Sequence, residues 1–123
     1  MITQDQLKDV LDRADKLKHY LKIDEKKIEY EEEDLRTQAP DFWEDQKRAE
    51  EQMKKVKAIK KWIDGYNDVR HAADELQLAF DFYKEEMVTE DEVDEDYRKA
   101  IELIEGLYRR LFPAVGCRPV LLL

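Results

Sequence analysis

An all-α fold, an elongated bundle of about four helices with a long antiparallel helical hairpin, is predicted by three observations. Charged residues make up 43% of the 123 positions, and most of them are the helix formers Glu, Lys and Arg. Helix breakers are scarce, at 3 Gly and 3 Pro. Apolar residues recur at three- and four-residue steps, and their 42% share suffices for one modest core rather than two.

The first helix is expected from about Gln4 to Leu21. Thr3 and Gln6 have the spacing of a capping box, and Leu7, Val10, Leu11, Ala14, Leu17 and Leu21 form one stripe. A break at Lys22-Ile23 precedes Asp24, read as the cap of a second helix that runs to about Arg36. Ile28 and Leu35 lie seven apart and predict a narrow packing seam, with Tyr30 to one side. The run from Glu29 to Asp34 reads as a solvated face.

Pro40 disfavours helix at Ala39 and ends that element. Asp45 is read as the cap of the third helix, with Asp41 competing for the role. Ala49, Met53, Val56, Ile63, Tyr66, Ala73, Leu76, Phe80, Tyr83 and Met87 then keep a near-heptad spacing over about forty residues, a rod of roughly 60 Å. Thr89 and Glu92 form a second capping box. Val93, Tyr97, Ala100, Ile101, Ile104, Leu107, Tyr108 and Leu111 mark the fourth helix. Matching seams on helices three and four predict an antiparallel hairpin, with helices one and two covering the other half of the rod. Residues 1–111 are thus expected to form one helical domain. Residues 112–123 differ: they contain no acid and a single base, and read as a divergent apolar tail.

The composition excludes several kinds of function. A net charge of −9 disfavours general nucleic-acid binding, although a local basic face remains compatible with it. A single cysteine, Cys117, excludes an internal disulfide framework, and no stretch approaches a membrane span. A cytoplasmic protein is expected. There is no serine, the two histidines His19 and His71 lie on separate helices, and the glycines are isolated. No catalytic residue, metal ligand set or cofactor-binding residue is therefore assigned, and the chain is expected not to be an enzyme. The acidic run from Glu90 to Asp96 lacks the loop glycine and spacing of a calcium site.

Two features remain as candidates for contact. Lys54, Lys57 and Lys61 share a side of the third helix, flanked by Lys55 and Lys60. They would contact RNA phosphates or an acidic protein surface, or else be solvated and paired with Glu50 and Glu51 four residues away. Phe42 and Trp43, in the break, would plug the end of a bundle, or else form an exposed contact pair. Trp62 and Phe82 lie off the main seam and are candidates for partner-facing positions.

The order of these pieces resembles a known family. His19-Tyr20-Leu21-Lys22-Ile23-Asp24, an acidic helix, Pro40-Asp41-Phe42-Trp43-Glu44-Asp45, and a Lys-rich helix with Lys60, Lys61 and Trp62 follow in an order that resembles the N-terminal domain of bacterial peptide chain release factor 2, of the class I release factor family. The resemblance covers about Met1 to Leu111. Pro40, Phe42, Trp43 and Asp45 are its most specific part, as structural motif positions. It implies a role in translation termination. The partner would be the ribosome, near the GTPase-associated region of the large subunit. In that family, UGA and UAA reading uses a Ser-Pro-Phe tripeptide, and ester hydrolysis uses Gly-Gly-Gln. This sequence has no serine and no adjacent glycines, so no catalytic residue carries over. A stand-alone helical adapter or coiled-coil module with a protein partner and no ribosomal role is the rival expectation; self-association through the long seams is compatible with both.

Overall fold

The computed structural model describes residues 1–113. Among them the chain forms four α-helices and no strand: α1 (Gln4–Tyr20), α2 (Ile23–Arg36), α3 (Gln46–Lys84) and α4 (Glu90–Leu111), with a 3₁₀ turn at Phe42–Glu44 before α3. The all-α class expected from composition and periodicity holds. The tail from Ala114 onward, with Cys117, lies outside the described residues. Two compact units are present: residues 1–16 together with those from 67 onward, and residues 17–66.

In the first unit, α1 starts with the expected capping box. The Thr3 amide donates to Gln6 Oε1 (2.8 Å), and the Gln6 amide donates to Thr3 Oγ1 (3.1 Å). The Ile2 amide donates to Asp94 (2.9 Å), tying the start of α1 to the start of α4. The expected box at the start of α4 also forms, between Thr89 and Glu92. The C-terminal part of α3 and α4 run antiparallel: the Tyr83 hydroxyl donates to Glu90 (2.9 Å) beside the turn, while Asp68 and His71 share a cleft with Lys99 and Leu103 farther along. Val10, Ala14, Val69, Ala73, Leu76, Val93, Ala100 and Ile104 form the fully buried centre.

Helix α1 therefore packs with the α3–α4 hairpin, as its Asp15–Arg70 ion pair (2.8 Å) also shows. The sequence expectation had assigned it to the other half of the rod. Helix α3 also ends earlier than its apolar pattern suggests. Glu86 takes a left-handed conformation (φ 60), the Glu86 amide donates to Tyr83 O and the Met87 amide to Phe82 O. These are the two bonds of a Schellman stop, and they leave Met87 outside the helix and exposed.

The second unit is built on the α2–α3 hairpin. Its core is Leu17, Leu21, Ile23, Ala49, Val56, Ile59, Ile63 and Tyr66. The break between α1 and α2 is two residues, Leu21 and Lys22; Lys22 lies in the left-handed region (φ 52, ψ 53) and provides no side-chain cap. Asp24 is thus not the cap. In a continuous helix Leu21 and Ile23 would point about 200° apart. The inversion at Lys22 lets both bury, at 2% and 0% exposure.

The seam expected on α2 is also corrected. Ile28 and Leu35 are exposed, at 59% and 64%. The inward residues are Ile23 and Glu33. Glu33 was expected on a solvated face, but it lies under α3, where it accepts from Gln52 Nε2 (2.8 Å) and Lys55 Nζ (3.1 Å). Gln52 also donates to the Glu33 carbonyl (2.8 Å). These bonds replace the water that a buried carboxylate would otherwise lose. Gln52 and then Lys55 hold its carboxyl below the usual carboxylate range.

Candidate functional site

Of the residues singled out for contact, all but Phe82 lie in the second unit. Helix α2 ends at Arg36, and Thr37 closes it by bonding back to the Asp34 carbonyl through both its amide and its hydroxyl. The chain then turns through exposed Pro40 into the 3₁₀ segment. The Asp45 carboxylate accepts from the Arg48 amide (3.2 Å), so Asp45 caps α3 as expected, and Asp41 makes no side-chain cap bond.

The aromatic pair does not plug the end of the hairpin. Trp43 is 66% exposed and Phe42 is half-buried. The rings meet edge to face, with centroids 4.7 Å apart. A 3₁₀ turn rotates successive residues by about 120°, so only one of two neighbours can face inward. Phe42 takes that position and Trp43 faces outward. The space beside Phe42 is an open cleft of about 400 Å³, lined among others by Arg36, Arg48, Ala49 and Gln52.

Lys54, Lys57 and Lys61 lie on the outer side of α3. Each is two residues from an inward position (Val56, Ile59 or Ile63), about 200° around the helix. All three are exposed, and none makes an ion pair among the described residues. The pairing with Glu50 and Glu51 does not form. Lys55 reaches Glu33 instead (3.1 Å). Lys60 pairs with Asp64 (2.9 Å), which holds its ammonium above the usual lysine range. Two flanking lysines are thus engaged within the chain and three are presented outward. Trp62, beside them, is half-buried. Phe82, in the first unit, is 37% exposed.

The outer side of α2 has a contrasting character. Ile28 and Leu35 stand on it, bordered by Asp24, Glu25, Glu31 and Glu32, all exposed. Sequence reasoning missed this face, although the signal was present. Ile28 lies five residues from Ile23, about 140° around the helix, and Leu35 lies two residues from Glu33. Both aliphatics could not be buried together with Ile23.

Among the described residues no group of three or more His, Cys, Asp or Glu side chains is placed to hold a metal ion. His71 is exposed beside Glu75 (3.5 Å), and His19 is exposed on α1. No described helix is long and apolar enough to cross a membrane.

No family model matches the chain, and no solved structure does. Over 110 residues it is 28% identical to the peptide chain release factor 2 of Janthinobacterium sp. (strain Marseille), an alignment that covers 86% of this chain. The chain spans about 30% of the length of that relative. The helical region described here is therefore similar to part of a protein that bears the name of a translation termination factor.

Proposed function

We propose that this chain is a non-catalytic contact module of translation termination, equivalent to the N-terminal helical domain of a UGA- and UAA-reading release factor. The similarity over 110 residues carries this reading. The four helices and the Pro40–Asp45 connection between α2 and α3 support it. The module would act in the cytoplasm, where it helps place a factor on the ribosome near the GTPase-associated region of the large subunit. Codon reading and ester hydrolysis would belong to other domains.

Lysines 54, 57 and 61, which make no ion pair among the described residues, with Trp62 beside them, are the surface best suited to ribosomal RNA phosphates. Three phosphate contacts give a salt slope of about −2.7, which is an affinity loss of about 40-fold between 50 and 200 mM salt. Co-sedimentation with ribosomes at both salt concentrations tests this. The chain should pellet with ribosomes, and Lys54→Glu/Lys57→Glu/Lys61→Glu should remove most of the binding and flatten its salt dependence. Salt-independent binding, or unchanged binding by the triple variant, would refute the lysine surface. Stop-codon-dependent peptide release by the isolated chain would refute the non-catalytic assignment.

A second reading, a stand-alone helical adapter, is favoured by one observation: the exposed Ile28 and Leu35 on α2. Absence of any ribosome binding, together with capture of the chain through that face, would support it.

A further inference from the structure

The second unit carries two unsatisfied surfaces of opposite character. On α2, two large aliphatic side chains face outward, seven residues apart, within a helix that holds seven acidic residues against three basic ones. Of those acids, only Glu33 makes an ion pair among the described residues. On α3, Lys54 and Lys61 are also seven residues apart and make no ion pair among the described residues, with exposed Ala58 between them. Seven residues are two turns, so both pairs repeat at about 10.5 Å.

The two patterns are complementary. Lysine stems are four methylenes long and pack against aliphatic groups while their ammoniums reach outward. Ala58 leaves a shallow floor between two such stems, wide enough to receive a branched side chain from a facing helix. With Ile28 or Leu35 seated there, the ammoniums of Lys54, Lys57 and Lys61 come beside Asp24, Glu25, Glu31 and Glu32.

These surfaces cannot meet within one chain. Helix α2 turns Ile23 and Glu33 towards the core and α3, so its aliphatics point away from α3. Helix α3 turns Val56, Ile59 and Ile63 inward, so its lysines point away from α2. We infer that the outer face of α2 docks on the lysine face of α3 in a second copy of the chain. The two faces lie on opposite sides of one hairpin, so the contact is head to tail. One copy does not occupy both faces of its neighbour, and association continues beyond a dimer unless the rotation closes a ring. A single helix face is smaller than the roughly 800 Å² per partner of a stable interface, and the net charge of −9 opposes assembly, so the association is weak and reversible.

The inference is independent of the termination reading, and its test contains no ribosome. Sedimentation velocity of the full chain is followed from low micromolar to near-millimolar concentration at moderate salt. The weight-average sedimentation coefficient should rise with concentration and pass the dimer value. Lys54→Glu/Lys61→Glu and Ile28→Glu/Leu35→Glu should each remain monomeric, with helical circular dichroism unchanged. Ile28→Ala/Leu35→Ala, which favours helix, gives the same loss without added charge. Each Glu variant keeps one intact face, and the two faces are complementary. Their equimolar mixture should form a 1:1 heterodimer and stop there. A wild type that stays monomeric, a plateau at the dimer, or a mixture that fails to pair would each overturn the inference.

Discussion

Ile23 and Ile28 lie five residues apart on the same helix, and replacing each by alanine separates the observed packing from the one its sequence suggests. Both changes remove the same three carbons, about 2.4 kcal/mol of transfer free energy when fully buried. Ile23 is 0% exposed. Ile23→Ala should therefore cost at least that amount, rising towards about 4 kcal/mol if the surrounding core does not collapse into the space. Ile28 is 59% exposed, so about 1 kcal/mol of the transfer term applies, and the better helix propensity of alanine returns a few tenths. Its net cost should be near 0.5 kcal/mol. Both tryptophans, Trp43 and Trp62, lie in the same unit as these two residues, so fluorescence-monitored urea unfolding reports on it directly. With an m-value of about 1.5 kcal/mol/M, Ile23→Ala should lower the midpoint by roughly 2 M and Ile28→Ala by roughly 0.3 M. Equal shifts, or a larger one for Ile28→Ala, would refute the assignment of inner and outer faces on α2.

Glu86→Gly should stabilise the first unit by up to about 1 kcal/mol, because the Schellman stop holds this non-glycine residue in the left-handed region; a lower melting temperature would contradict that geometry. The Glu33 carboxyl titrates below its unfolded value, so its contribution is full above about pH 4.3 and is lost as pH falls through the lower folded value. Glu33→Gln should flatten that part of the acid limb of urea midpoint against pH, and identical acid limbs in the two proteins would contradict it. Trp43→Phe should remove the most quencher-accessible part of the tryptophan emission and change stability by no more than about 0.5 kcal/mol. A large stability loss would mean that the indole is packed after all.

Helix number, both capping boxes and the caps of α3 and α4 were legible because each depends on residues within one turn of each other. Thr3 with Gln6, Thr89 with Glu92, and Asp45 before Gln46 need no tertiary information. The buried stripes of the first unit were legible too, since Val10, Ala14, Leu76, Ala100 and Ile104 follow helical periodicity and are buried accordingly, although the packing of α1 on the α3–α4 hairpin was not. Helix α2 was not. Its inward carboxylate depends on Gln52 and Lys55, some twenty residues away in sequence, and nothing local distinguishes Glu33 from Glu31 or Glu32. The left-handed Lys22 was equally hidden, because lysine has no preference for that conformation. At the candidate site, the shared side of Lys54, Lys57 and Lys61 was visible in their spacing. That Glu50 does not pair with Lys54, and that Lys55 turns to Glu33 rather than Glu51, was not visible.

The Glu33 clamp also affects how freely this protein can vary. Helix α2 is fastened near its ends by two unlike anchors, Ile23 in the core and Glu33 against α3, ten residues and about 15 Å apart. Little of its stability depends on the residues that face outward between and beside them. Substitutions at Asp24, Ile28, Glu31, Glu32 and Leu35 can therefore accumulate at small folding cost. What α2 recognises can be rewritten while its alignment on α3 stays fixed.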